Sequence, residues 1–83
     1  MTTFRVDRIF YKGTVARRIN KFIETKDLKT AYDVTCKVAE FKKDFNDVLY
    51  ELDENDESTV AYNIEWKDGV MNMVVFIIEQ VKE

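Results

Sequence analysis

Glu40, Asp44, Asp47, Glu51 and Glu54 recur at spacings of four, three, four and three residues, and Asp53, Asp56 and Glu57 extend the acidic run. On a helix this spacing gathers side chains on one face, about 5 Å apart along the axis. Carboxylates gathered in this way support three kinds of chemistry. Two of them can divide acid and base work, as in glycoside hydrolysis. Several can hold a hard cation. A row of them can seek the positive cleft of another protein, with marked dependence on salt.

The first two readings find little support. No pair of acids is singled out, and the chain has no histidine, the usual proton carrier and metal ligand near neutral pH. Asp53, Asn55 and Glu57 resemble the first, third and fifth ligands of a calcium loop. The sixth position, however, is Ser58 instead of glycine, and the twelfth is Ile64 instead of glutamate. Ser58 is the only serine and has no base beside it in sequence. Cys36, the only cysteine, falls in an amphipathic stretch and reads as a small apolar packing group. No glycine-rich phosphate loop is present. The expectation is a chain without catalytic residues, metal or cofactor.

The third reading is the specific one. The pitch of the acidic row is similar to the ~3.4 Å advance of phosphates along a DNA strand but not matched to it, and a rigid acidic helix could imitate a nucleic-acid backbone. The partner would then be a protein with a basic surface, such as a nuclease. Small acidic domains without catalytic residues include inhibitors that viruses carry against host defences, and the function expected here is an inhibitor or modulator of that kind.

Charge is segregated along the chain. Up to Lys29, eight bases stand against three acids; from Thr30 onward, five bases stand against thirteen acids, for a net charge of −3. The basic third offers a competing function. Arg5, Arg8, Lys12, Arg17, Arg18 and Lys21, beside Phe4, Phe10 and Tyr11, could contact phosphates and stack bases directly. A third possibility is a self-assembling homo-oligomer.

The elements that must position these groups follow from periodicity. Ala31, Val34, Val38, Phe41, Phe45, Val48 and Leu52 repeat at helical spacing and predict one helix from about Leu28 to Glu54, roughly 40 Å long and capped by Thr25 or Asp27. Tyr32, Val34, Cys36 and Val38 also alternate as a strand would. Thr3 to Tyr11 predicts a strand. Gly13 ends it, and Thr14 caps a helix packing through Val15, Ile19, Phe22 and Ile23. Asp68-Gly69 predicts a two-residue hairpin that pairs Lys67 with Val70, Trp66 with Met71, Ile64 with Met73, Tyr62 with Val75 and Val60 with Ile77. A C-terminal helix through Val70, Val74, Ile77 and Val81 is the rival there.

The resulting fold class is α+β, one domain over 1–83 in β-α-α-β-β order, with a three-stranded antiparallel sheet on two helices, the second one long. If Met71, Met73, Val75 and Ile77 face the helices, then Val74, Phe76 and Ile78 point away and call for a homodimer or another partner. A bulge between Val74 and Val75 would exchange the two faces. A lone cysteine and the lack of an apolar leader or membrane-length apolar run point to a cytoplasmic chain with no membrane association.

Overall fold

A computed structural model describes the backbone of residues 1–83 and every side chain except that of Asn20. Five strands and two helices follow in the order β1 (Thr2–Lys12), β2 (Val15–Thr25), α1 (Leu28–Val38), β3 (Phe41–Lys42), α2 (Phe45–Asn55), β4 (Glu57–Lys67) and β5 (Val70–Lys82). The strands form one antiparallel sheet in the order β2-β1-β5-β4-β3. The class is α+β, but the expected three-stranded sheet on two helices is overturned.

Two local readings account for the difference. Val15 to Thr25 is a strand, not a helix. Its apolar residues Val15, Ile19 and Ile23 have the same parity and so suit one face of a ribbon as well as a helical stripe. Gly13, at φ +59°, turns the chain back after β1, and its amide donates to the Met71 carbonyl at 3.0 Å. β2 then gains two residues on β1 between the pairs Arg8–Ile19 and Val6–Ile23, and Lys21 sits in that bulge at φ +63°.

The single long helix is also absent. Ala39 ends α1 in an extended conformation, and Phe41–Lys42 pairs with Tyr62 and Ala61 as a short edge strand. Asp44 then caps a new helix by accepting from the Asn46 amide at 2.9 Å. The expected Asp27 cap on α1 is present: its carboxylate accepts from the Thr30 amide at 3.3 Å and the Thr30 hydroxyl at 2.6 Å.

The C-terminal hairpin forms as a ribbon, with Asp68 at φ +52° and Gly69 at φ +75° as the turn demands. The pairs Lys67–Val70, Trp66–Met71, Ile64–Met73 and Tyr62–Val75 are present. Val60 does not pair with Ile77. It occupies a bulge in β4, so Thr59 takes that place, and β5 itself runs without interruption.

Both helices lie on one side of the sheet. Ala31 from α1 and Val48 and Leu52 from α2 close over Val6, Val60, Ala61, Phe76 and Ile78, with Val74 packed at the margin. Phe22 meets Phe76 edge to face at 5.6 Å. Phe76 and Ile78 are therefore core residues and Val74 packs against them on the same covered side, so the expected role of Val74, Phe76 and Ile78 as a free oligomer face is corrected. The other side of the sheet, away from the helices, carries Ile9 and Tyr11 on β1, Met71, Met73 and Val75 on β5, and Tyr62, Ile64 and Trp66 on β4.

The molecule measures 45 × 22 × 21 Å, because strands of eleven to thirteen residues outrun the helices that cover them. Among the described residues, no helix is long and apolar enough to cross a membrane.

Candidate protein-docking site on the second helix

Eleven residues of α2 supply three turns, with Val48 and Leu52 buried toward the sheet. Rotation by about 100° per residue then puts Tyr50 at the middle of the outward stripe. Asn46, Leu49 and Asp53 flank it on one side, and Asp47 and Glu54 on the other; all of them are exposed. Tyr50 is 67% exposed and Leu49 42%.

The acids expected to form one docking row are dispersed by the break between the helices. Glu40 lies in the turn before β3 and lines a groove of about 640 Å³ over the part of the sheet that the helices leave open. Its backbone amide donates to the Asn63 Oδ1, and the Asn63 Nδ2 donates to the Val38 carbonyl at 3.0 Å. Asp44 is the α2 cap. Glu51 turns inward, paired with the Lys43 ammonium and accepting from the buried Ser58 hydroxyl at 3.0 Å. The Lys43 contact, together with Ser58, holds the Glu51 carboxyl below its usual range despite partial burial.

Asp56 ends α2 in the left-handed conformation, φ +59°, and returns its amide to the Leu52 carbonyl at 2.9 Å. Its carboxylate meets Lys82 at 3.2 Å and the Gln80 amide at 3.0 Å, and these contacts draw its pKa down. Asp47, Glu54 and Glu57 remain, together with Asp53. Among the described residues none of these four forms an ion pair. The free acidic surface is thus one helix face and the start of β4.

Tyr50 and Leu49 were not legible as site residues from the acidic spacing. The signal available is that both stand off the apolar stripe of an otherwise polar helix.

The basic third is reorganised more strongly. Asp7 is fully buried on the back of the sheet, where Arg18 reaches it at 2.6 Å and Arg5 at 3.5 Å, while the Lys21 amide donates to it at 2.7 Å. Burial alone would raise the Asp7 carboxyl; the Lys21 amide and the two guanidinium groups outweigh it and hold the pKa down. Arg5 is also paired with Glu79 at 2.6 Å. Arg8 lies on the helix side, with its guanidinium over the Phe22 ring at 5.0 Å and the Phe10 ring at 5.7 Å. Of the six cations proposed to meet phosphates, Arg5, Arg8 and Arg18 are therefore engaged internally, and Lys21 stands 3.9 Å from Glu24 on the surface.

Ser58 is buried and held by Glu51, and Cys36 is half-buried on α1. Tyr32, one turn before Cys36, donates its hydroxyl to the Lys43 carbonyl at 2.7 Å and ties α1 to the turn ahead of α2. Burial, followed by the Cys36 contact, pushes the Tyr32 hydroxyl up to about 12. Among the described residues, no group of three histidine, cysteine or acidic side chains is arranged to hold a metal. No family model, curated protein or solved structure matches the chain.

Proposed function

We propose that this chain is a non-catalytic protein-binding domain, an inhibitor or modulator that docks the outward face of α2 on a basic surface of a nucleic-acid-handling protein. The observation that carries the reading is Tyr50, 67% exposed amid the unpaired carboxylates of Asp47, Asp53 and Glu54. An amphipathic aromatic ring ringed by charge has the composition of an interface hot spot, in which the ring supplies affinity and the acids supply steering. Two turns separate Asp47 from Glu54, about 10 Å along the axis, so the acids present a compact anionic patch rather than the long row the spacing predicts.

Direct binding of nucleic acid by the N-terminal third is the weaker reading, because Arg5, Arg8 and Arg18 are engaged within the fold. The test is parallel capture from the native host with the wild type and with a D47N/Y50A/D53N/E54Q variant. All four side chains are exposed, so the variant keeps its circular dichroism spectrum. A basic protein retained by the wild type and lost by the variant supports the proposal; equal retention by both overturns it.

A further inference from the structure

The back of the sheet breaks the pattern of a two-layer domain. An antiparallel sheet with one covered face ordinarily alternates apolar residues inward with polar residues outward. Here the outward positions of β5 are the half-buried Met71, Met73 and Val75, beside Ile9 and Tyr11 of β1, with Ile77 already buried next to Asp7 at the end of the row. On the other flank, β4 presents Tyr62, Ile64 and Trp66. Phe41 of β3 stacks on Tyr62 with ring centroids 5.0 Å apart and extends the band to the fourth strand. None of these positions carries a charge. Trp66 is 69% exposed and Phe41 44%.

We propose that a second copy of the chain closes this face, giving a two-fold dimer whose sheets pack back to back. Size is the first argument. Met71 to Ile77 covers about 20 Å of strand and four strands cover about 19 Å, so the uncharged centre projects to roughly 400 Å². A standard interface takes about 800 Å² from each partner. The broad side of a molecule measuring 45 × 22 Å accommodates that, with the 400 Å² centre as an apolar core and the rest as rim.

Charge is the second argument. The rim at the far end of the face holds Arg5, Arg18 and Glu79 in contacts around Asp7, with Glu57 beside Glu79, so two cations stand against three acids at the margin, while the centre of the face has no charge to oppose its image. A foreign partner would find no charge pattern there to recognise, whereas a two-fold axis sets the same uncharged surface against itself. Back-to-back stacking also leaves both α2 faces on the outside, which keeps the acidic patches of the two copies apart. The alternative of joining copies edge to edge through β2 brings Arg17, Arg18 and Lys21 of the two strands together, a device that discourages such pairing.

Trp66 is the only tryptophan, so its emission reports this interface directly. Sedimentation equilibrium of the full chain, from about 1 to 500 μM, should show a mass rising from 9.9 kDa to twice that, with Trp66 emission moving to the blue over the same range. W66S and M73K should each weaken the association by about tenfold or more while retaining the fold, and V15S, on the helix side, should leave it unchanged. A chain that stays monomeric throughout, or a dimer that W66S and M73K leave intact, overturns the proposal.

Discussion

The guanidinium of Arg18 sits 2.6 Å from the carboxylate of Asp7, across the pairing of β1 with β2 and beside the bulge that carries Lys21. This contact draws the basic end of the chain inward. Removing it by D7N leaves Arg18 without a counter-charge, and Arg5 with Glu79 alone, on a partly buried surface, at a cost of about 3 kcal/mol. Urea unfolding followed by circular dichroism measures this, and a loss under ~0.5 kcal/mol would mean that the pair is merely surface decoration.

The pH dependence follows from the same carboxylate. The folded pKa of Asp7 lies below its ordinary 3.8, and that of Glu51 below 4.5. Their stabilising contributions are therefore fully present above those ordinary values and are lost as pH falls through the lower folded ones. Unfolding free energy should stay level from neutral pH to about 5 and then decline, and D7N should make the acid limb shallower. Thermal unfolding at stepped pH values checks both expectations.

Which side of the sheet is covered has its own test. I78A removes a fully buried side chain from beneath the helices and should cost about 3 kcal/mol. V75A, one face away on the same strand, should cost under about 1 kcal/mol in the monomer at low concentration. The reverse ranking in denaturant unfolding would place the helices on the other face.

That ranking bears on what could be read from the residues alone. The β4–β5 ribbon was legible through Asp68-Gly69, because turn chemistry and alternating apolar residues agree on one register. Which of its faces is covered was not, since Val74, Phe76 and Ile78 are as apolar as Met71, Met73 and Val75. β2 was misread because Val15, Ile19 and Ile23 satisfy both periods, and only the long-range pairing with β1 decides between them. The break between α1 and α2 carries no glycine or proline. Its one local sign is Asp44, a good helix cap that the acidic spacing absorbs into a continuous row. The acids of α2 were recognisable; the withdrawal of Glu51 and Asp56 to Lys43 and Lys82 depends on where β3 and β5 lie.

Glu51 and its outward neighbours should separate cleanly. E51A strips the partner from Lys43 and from the buried Ser58 hydroxyl, and should cost about 1–2 kcal/mol without changing what the chain binds. D47N and E54Q should change stability by under about 0.5 kcal/mol and weaken capture of the partner. Unfolding and capture measured on the same three variants give the comparison.

On the proposed function, the α2 face occupies a site on the partner that nucleic acid would otherwise fill. The direct measurement is release of the captured partner from immobilised chain by a short DNA duplex at constant salt. Progressive release by the duplex, with no capture at all by D47N/Y50A/D53N/E54Q, is the predicted result. A partner that stays bound under saturating duplex and is held equally by that variant would contradict it.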